Sequence, residues 1–298
     1  MRVWVTGARG FVGRHLIPRL ADQGWEVSGS DRELDVADSN RVEVRLAELE
    51  PDAIVHLAAQ SSVAASRAAP GLTHRVNYLG TLSILRAALH RPTPPRVLLI
   101  GSGEQYGTTS LNSPAFSEAS PTKPTSSYAR SKADADQLGA HFAAAGLPVV
   151  RVRAFNHSGP GQSDAFVLST FAKQAAEIEA GRREPTLRVG NLDSVRDFLD
   201  VGDVVDAYLR LLDSQTPPDA YNVASGVGCR VGDLLETLLS MLAERPTVER
   251  DPQRHRPTDW SVGDATRLRT TTGWQPSTPI ARTLENLLED WRRLVSES

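Results

Sequence analysis

The sequence predicts an α/β protein built on a doubly wound parallel sheet, with a smaller C-terminal domain interleaved with it. Short apolar runs rich in β-branched residues alternate with segments whose apolar residues recur at helical spacing. These runs cover residues 3–5, 53–57, 97–100 and 149–153. The first run enters a helix through a turn with three glycines, Gly7, Gly10 and Gly13. Strands that alternate with helices in this way form parallel sheets with both faces covered.

Length, charge and cysteine content narrow the class of protein. The chain has 298 residues and a net charge of −3, so its composition gives no basic footprint for nucleic acid and no polybasic membrane anchor. No apolar run reaches the ~18 residues of a membrane-spanning helix, and we expect no signal peptide before the first strand. The single Cys229 excludes an internal disulfide framework. We therefore expect a cytoplasmic protein, and we predict no metal site.

The glycine turn after the first strand is a candidate anion site. The next helix begins near Phe11 and Val12, and the first N–H groups of a helix have no partners within it. These groups and the positive end of the helix dipole attract phosphate, which glycine allows to approach the backbone closely. The alternative is a purely structural turn, because the spacing of the three glycines differs from the usual dinucleotide fingerprint.

The second strand ends at Asp31, where an acidic residue of such a sheet accepts hydrogen bonds from the adenosine ribose. The glycine turn favours this role over that of a turn aspartate. Because a carboxylate repels a 2′-phosphate, Asp31 favours NAD(H). NADP(H) is the alternative if Arg32 or Arg9 binds the 2′-phosphate.

The third strand, 53–57, is followed by the small residues Ala58 and Ala59. Small residues at the carboxyl end of a strand leave space for a cofactor in the crevice there. His56 lies inside the apolar run of the same strand. We expect it to be a hydrogen-bonded core histidine and not a catalytic group.

Tyr128 and Lys132 stand four residues apart in a predicted helix, so both project from one helix face. Ser126 or Ser127 is placed to cap the start of this helix. Tyrosine is a poor acid–base catalyst at neutral pH, and a neighbouring ammonium lowers its pKa. Only three of the 33 basic residues are lysines, so a lysine at this position is informative.

Ser102 follows the strand at 97–100 and is placed to polarise the oxygen of a bound substrate. Taken alone it would be an ordinary turn serine. Beside Tyr128 and Lys132, the catalytic role is the better prediction.

These features together resemble the extended short-chain dehydrogenase/reductase family, which acts on nucleotide sugars, over nearly the whole chain. The residues that carry the resemblance are Gly7, Gly10, Gly13, Asp31, the sequence His-Leu-Ala-Ala at 56–59, Asn77, Ser102, Tyr128 and Lys132. The resemblance implies a Rossmann-type sheet and an NAD(P)(H) site. The implied cofactor-binding residues are Gly7, Gly10, Phe11, Val12, Gly13, Asp31, Arg32, Asp35, Val36, Leu57, Ala58, Ala59, Asn77, Tyr128 and Lys132.

Longer motifs at 153–162, 190–192, 195–198 and 256–259 resemble the branch that contains GDP-mannose 4,6-dehydratases and GDP-4-keto-6-deoxymannose reductases. The implied substrate-binding residues are Gln60, Ser102, Glu104, Asn156, Arg196, Arg256 and Asp259. Guanidinium groups at 196 and 256 suit a diphosphate, although the residues alone equally allow two exposed arginines. The aspartate at 259 would accept from a nucleotide ribose, and the asparagine at 156 would lie beside the sugar phosphate.

The resemblance implies reduction of the C4 keto group of a GDP-4-keto-6-deoxyhexose by NAD(P)H, with Ser102, Tyr128, Lys132 and Glu104 as catalytic candidates. The product would be a GDP-6-deoxyhexose such as GDP-rhamnose. A 4,6-dehydratase or a 4-epimerase that retains its cofactor is the alternative, and Glu104 is near the place of the C5 base that a dehydratase needs. A dinucleotide-sensing regulator without catalytic activity is a further alternative, which the Tyr–Lys pair disfavours.

The same resemblance implies a division into two domains and a homodimer, in which the helices that begin near Asn77 and Tyr128 pair into a four-helix bundle. Residues 1–157 would bind the dinucleotide, with 192–214 returning to that layer, and residues 158–298 would mainly bind the nucleotide sugar. The strand and helix expected in 192–214 are the reason why the two domains interleave.

Overall fold

The computed structural model describes residues 1–251 and 258–297 and confirms the predicted α/β class. Its centre is a six-stranded parallel sheet. The strands are β1 (Arg2–Thr6), β2 (Glu26–Ser30), β3 (Ala53–His56), β4 (Arg96–Ile100), β5 (Val149–Ala154) and β9 (Ala220–Val223). They lie in the order β2-β1-β3-β4-β5-β9, which is the doubly wound arrangement expected from the sequence.

Successive side chains of the strands enter two cores on opposite faces of the sheet. In β1, Val3 and Val5 belong to one core and Trp4 to the other. The helices of this layer are α1 (Phe11–Asp22), α2 (Ser39–Leu49), α5 (Gly80–Leu89), α6 (Ser127–Ala144) and α8 (Val201–Leu212). Helices α1 and α8 cover one face, and α2, α5 and α6 pack on the other. Two-sided burial explains why the central strands β1, β3 and β4 are apolar runs without alternation.

A second body packs beside the carboxyl edge of the sheet. Its strands are β6 (Asn156–Ser158), β7 (Thr186–Val189), β8 (Val195–Asp200), β10 (Gly228–Arg230), β11 (Thr247–Arg250) and β12 (Trp260–Ser261). Strand β8 pairs with β6, β10 and β12, while β7 pairs with β11. Its helices are α7 (Val167–Glu179), α9 (Val231–Leu239) and α11 (Ile280–Glu297), whereas α3 (Val63–Ala68) and α4 (Pro70–His74) pack on α6 and α10 (Thr266–Thr272) packs on β9. A separate apolar core joins α7, α9 and α11.

The chain passes between the two bodies repeatedly. Within the predicted return at 192–214, α8 packs into the core of the large sheet, whereas β8 belongs to the smaller sheet. The large sheet gains β9 instead, a strand that lies beyond the predicted return. Tyr221 and Val223 of β9 are buried in the same core as α8. Consequently each body is assembled from several separate stretches of the sequence.

The parallel strands end at one edge of the sheet, and this edge carries the candidate site. The turn after β1, the end of β2, the loop after β4 and the segment after β5 meet there. Among the helices of the described chain, none is long and apolar enough to cross a bilayer.

Candidate active site

The turn between β1 and α1 requires glycine at two positions. Gly7 has φ +71°, and a Cβ on it would lie 2.8 Å from the Ala58 nitrogen. A Cβ on Gly13 would lie 2.5 Å from the Ala8 oxygen. Gly10 is the N-cap of α1 and provides no side chain to cap it. The N–H groups at the start of α1 are therefore left for an anionic ligand.

This turn forms one end of a cavity of about 1110 Å³ that continues to Tyr128. The cavity is large enough for a dinucleotide and part of a second ligand. Most of the predicted site residues line it, namely Gly7, Gly10, Phe11, Val12, Gly13, Asp31, Arg32, Asp35, Val36, Leu57, Ala58, Ala59, Ser102, Glu104, Tyr128, Lys132 and Asn156. Arg9 lines it as well.

Asp31 lines the cavity, and backbone amides hold its carboxylate. One oxygen accepts from the N–H of Arg9 at 2.8 Å, and the other accepts from the N–H of Arg32 at 2.9 Å. The Arg9 guanidinium pairs with Glu33 at 2.5 Å. The Arg32 guanidinium has no ion-pair partner in the described part of the chain, so it is an available cation at this end of the cavity.

Helix α6 presents Tyr128 and Lys132 to the cavity from its first two turns. Ser126 caps α6 by accepting a hydrogen bond from the Ala129 N–H at 3.0 Å, as the sequence predicts. Tyr128 is hydrogen-bonded to Ser102 at the end of β4. The Lys132 ammonium is buried and donates to the Ile100 carbonyl oxygen at 2.8 Å. The three residues thus meet at the junction of β4 and α6.

Burial controls the ionisation of both groups on α6. It raises the pKa of Tyr128 to about 12, which the Ser102 hydrogen bond opposes and the charge of Glu104 reinforces. Burial also lowers the pKa of Lys132 to about 8. The expected lowering of the Tyr128 pKa is not found, because burial outweighs the Ser102 hydrogen bond. The phenol is therefore a proton donor at neutral pH.

Glu104 lies in a short 3₁₀ turn, Gly103–Tyr106, directly after Ser102. Its backbone N–H donates to the Ser102 Oγ at 3.2 Å. Its carboxylate is close enough to Tyr128 to raise the pKa of the phenol. Glu104 accordingly faces the reaction end of the cavity, where a substrate carbon would lie.

His56 is a core residue, as expected. Its Nδ1 lies 2.8 Å from the Thr6 Oγ1, and its Nε2 lies 3.2 Å from the Thr81 Oγ1. The Thr81 hydroxyl donates to the Asn77 carbonyl oxygen, so it accepts from the His56 Nε2–H. Burial lowers the pKa of His56 to about 3, with a smaller effect from Lys132. The imidazole is therefore neutral and satisfied on both nitrogens.

Asn77 is not among the residues that line the cavity, so its role as a cofactor ligand stays a prediction. It lies in a π-helical turn, Arg75–Leu79, so α5 itself starts at Gly80 and not at the predicted asparagine. Its side chain accepts from the Gln60 N–H at 2.8 Å, and it donates to the Ser131 Oγ at 2.9 Å. Gln60 is also absent from the lining, and its Oε1 is buried without a partner in the described residues. Asn77 thus fixes the segment that follows Ala59.

Arg196, a predicted diphosphate ligand, forms an ion pair with Asp259, a predicted ribose ligand. The Arg196 Nη2 lies 2.7 Å from the Asp259 Oδ1, and the Arg196 Nη1 donates to the Asp259 backbone oxygen at 3.3 Å. Neither residue lines the cavity. Arg256 lies outside the described residues. The Asn156 amide does line the cavity and donates to the Asp197 carbonyl oxygen at 3.1 Å.

The cavity also contains residues that were not predicted. Tyr208 of α8 lines it, and burial raises its pKa; its hydroxyl has no hydrogen-bond partner among the residues described. Its helix face gives no sequence signal for this position. His157 lines the cavity directly after β5, and its location after a strand end was the available signal.

The arrangement fits a nicotinamide dinucleotide. A Cβ at Gly7 or Gly13 would collide with neighbouring backbone, so glycine keeps the turn tight, and α1 has an uncapped N-terminus for phosphate. Asp31 stands at the ribose end, and Ser102, Tyr128 and Lys132 stand at the other end. A protonated phenol beside a hydroxyl and an ammonium is suited to proton donation to an oxyanion.

The chain matches one family model and is similar to several known proteins. A family model described as GDP-mannose 4,6 dehydratase matches residues 32–287. The chain is 36% identical over 301 residues to GDP-6-deoxy-D-mannose reductase of Pseudomonas aeruginosa, with 99% of each protein covered. The structure of RMD from Pseudomonas aeruginosa complexed with NADPH matches with a TM-score of 0.90 at 35% identity, covering 98% of this chain and 99% of that one. The UDP-glucose 4-epimerase of Thermus thermophilus in complex with NAD matches with a TM-score of 0.87 at 29% identity, covering 98% and 99%.

Proposed function

The chain belongs to the GDP-mannose 4,6-dehydratase family, and from this premise we propose that it is an NAD(P)-dependent reductase of a GDP-4-keto-6-deoxyhexose. Its reaction reduces the C4 keto group and gives a GDP-6-deoxyhexose such as GDP-rhamnose. The similarity to GDP-6-deoxy-D-mannose reductase over 99% of both chains supports this substrate class. NAD(P)(H) as cofactor is supported by the NADPH and NAD complexes of the two similar structures.

One observation carries the proposal. Tyr128 is held protonated, with a pKa of about 12, in hydrogen-bond contact with Ser102 at one end of a glycine-lined cavity. Reduction of a ketone needs a proton for the new alkoxide as well as a hydride. A phenol that keeps its proton at neutral pH supplies it.

The residues of this chain have separate tasks in the proposed reaction. The N-terminus of α1 and the glycine turn hold the phosphates of the cofactor, Asp31 holds the adenosine ribose, and Lys132 holds the second ribose. The cofactor, when bound, supplies hydride to C4. Ser102 donates a hydrogen bond to the C4 oxygen and stabilises the charge that develops there, and Tyr128 transfers its proton to the same oxygen.

A 4,6-dehydratase is the second candidate, and Glu104 is the observation that favours it. Its carboxylate lies at the reaction end of the cavity beside Tyr128, where a base could remove a proton from C5. A 4-epimerase would use the same Tyr–Lys pair with a retained cofactor.

Stoichiometry distinguishes these activities. The purified protein is incubated with a panel of 4-keto-6-deoxy and unmodified nucleotide sugars and with NADH or NADPH. Mass spectrometry then measures the masses of the products. A reductase consumes one reduced cofactor per product and adds two mass units to a 4-keto-6-deoxy sugar. Loss of water from a GDP-hexose without net cofactor consumption would replace this proposal by the dehydratase.

We further propose that the protein is a homodimer of the cytoplasm. Leu72 of α4 and Leu79 of the following turn are 53% and 41% exposed, and α4 packs on α6. Covering these leucines with a second copy would bury apolar surface beside the helices α5 and α6, which correspond to the two that the family resemblance assigns to the dimer. Light scattering of the native protein and of Leu79→Glu tests this proposal, since a monomeric native protein contradicts it.

A further inference from the structure

Arg153 carries a buried positive charge near the carboxyl end of β5. Its side chain is 7% exposed, and it is not among the residues that line the cavity. The proposed reaction therefore gives it no direct task. A charge inside a protein is costly unless good hydrogen bonds compensate it, so its partners indicate what it contributes.

One partner is the helix that carries the proton donor. The Arg153 Nη2 donates to the Asp136 Oδ2 at 2.9 Å, and the Nε donates to the Oδ1 at 3.3 Å. Such a bidentate pair fixes both direction and distance. Asp136 lies in α6 eight residues after Tyr128 and four after Lys132, so the three side chains follow one side of the helix. The pair therefore holds α6 about two turns beyond the phenol.

The other partner is the 3₁₀ turn Gly103–Tyr106, which directly follows Ser102. The Arg153 Nη1 donates to the Tyr106 hydroxyl oxygen at 2.8 Å, and the guanidinium carbon lies 5.1 Å from the centroid of the Tyr106 ring. The Tyr106 hydroxyl donates its own proton to the Asn222 Oδ1 at 2.7 Å. Its oxygen is therefore an acceptor for Arg153.

A single guanidinium thus joins the two elements whose side chains meet at the reaction end of the cavity. Tyr128 and Ser102 are hydrogen-bonded across the same two elements. A misplacement of about 1 Å in a reacting arrangement lowers a rate by about 10²-fold. We propose that Arg153 is a positioning residue, which sets the distance between Tyr128 and Ser102. It acts through Asp136 on one side and through Tyr106 on the other.

This inference rests on the proposed reductase activity, and Arg153→Lys tests it. The ammonium keeps the charge but does not reproduce the bidentate pair with Asp136 while it also reaches Tyr106. The rate of ketone reduction in a single turnover should fall roughly ten- to hundredfold. The dissociation constants of NAD(P)H and of GDP should stay close to the native values, because Arg153 does not line the cavity.

The solvent isotope effect on the same rate distinguishes positioning from a purely structural role. A displaced phenol slows proton transfer relative to the other steps, so the ratio of the rates in H₂O and D₂O should rise in Arg153→Lys. A structural role would lower the fraction of active protein and leave this ratio native.

Two further variants complete the comparison. Tyr106→Phe keeps the ring and the buried ion pair but removes the hydroxyl that Arg153 contacts, so it should also lower the rate and raise the isotope effect. Arg151→Lys is the matched control in β5. The Arg151 Nη1 donates to Asp136 at 3.1 Å, and its Nη2 lies 3.7 Å from Asp219, so its partners do not belong to the turn after Ser102. Arg151→Lys should keep the native isotope effect.

Three results would overturn the inference. A lowered rate with a native isotope effect in Arg153→Lys would show that the residue only supports the fold. If that variant does not fold, a native rate and isotope effect in Tyr106→Phe would exclude the proposed link. An isotope effect that rises equally in Arg151→Lys would mean that Asp136 controls α6 without the turn. Absence of ketone reduction by a native protein that binds NAD(P)H would contradict the proposed function itself, and the inference with it.

Discussion

The Lys132 ammonium donates a 2.8 Å hydrogen bond to the Ile100 carbonyl oxygen, one residue before the loop that carries Ser102. This contact ties α6 to the end of β4 and so sets the position of Tyr128 relative to Ser102. A compact ammonium can make this contact and still face the cavity. A planar guanidinium is larger and directs its donors differently.

Lys132→Arg is therefore expected to lower turnover and cofactor affinity although it conserves the charge. The guanidinium does not fit beside the Ile100 carbonyl oxygen and displaces the cofactor ribose that Lys132 would hold. Steady-state rates and dissociation constants across a range of pH values measure the effect. Near-native values in Lys132→Arg would show that positive charge alone is sufficient.

The lowered pKa of Lys132 also predicts how stability depends on pH. The ordinary lysine value is 10.5, and burial lowers the pKa to about 8 in the folded state. Between these values the unfolded chain binds more protons, so the contribution of Lys132 to the free energy of unfolding rises with pH. Denaturant titrations measure the free energy of unfolding of the native protein and of Lys132→Met. Between pH 8 and pH 10 this free energy should rise in the native protein relative to Lys132→Met. Parallel curves would contradict the lowered pKa.

Asp31 predicts that NADH is preferred or at least accepted as a cofactor. Its carboxylate is fixed by two backbone N–H groups and repels a 2′-phosphate. The dissociation constants of both reduced cofactors decide the question. A preference for NADPH beyond about tenfold, or ~1.4 kcal/mol, would mean that the Arg32 guanidinium outweighs Asp31.

The ion pair between Arg196 and Asp259 allows a sharper test of the diphosphate prediction. Arg196 could leave Asp259 and bind the diphosphate when the ligand is present. In that case Arg196→Ala should weaken GDP binding by roughly 1.5–3 kcal/mol. Asp259→Asn should not weaken the contact between Arg196 and the diphosphate. Arg256→Ala is expected to act like Arg196→Ala. GDP titrations measure all three variants. Native affinity in both arginine variants would show that the diphosphate binds elsewhere.

Glu104 separates the reductase from the dehydratase. A C5 base typically contributes about 10²–10⁴-fold to the rate, whereas the reductase needs no such base. Glu104→Gln should therefore retain ketone reduction within roughly tenfold. The matched measurement follows dehydration of a GDP-hexose. If the native protein dehydrates a GDP-hexose and Glu104→Gln does not, the reductase proposal is excluded.

Residue spacing and periodicity predicted those parts of the site whose geometry depends on one short stretch of chain. The glycine turn, the end of β2 at Asp31 and the helical pair Tyr128 and Lys132 all depend on short stretches of chain with a clear period or spacing. The parallel sheet then brings these stretches to one edge, because parallel strands all end on the same side.

The other parts of the site and of the sheet depend on contacts between residues that are far apart in the sequence. The periodicity of apolar residues does not encode such contacts. Arg196 and Asp259 are 63 positions apart, and either could have faced the ligand. Asn77 turns inward because Ser131 and the Gln60 backbone satisfy its amide. Strand β9 is only four residues long and contains a buried asparagine at 222, so its pattern did not distinguish a strand in the sheet from a loop.

The central claim is that Tyr128 protonates an alkoxide formed by hydride transfer to C4, and isotope transfer tests it most directly. The protein is incubated with a GDP-4-keto-6-deoxyhexose and NAD(P)H that is deuterated at both C4 positions of the nicotinamide. The proposed reaction places one deuterium on C4 of the sugar in each product molecule and yields an equal amount of oxidised cofactor, and Tyr128→Phe suppresses both. A converted sugar without deuterium, formed while the cofactor stays reduced, would contradict it.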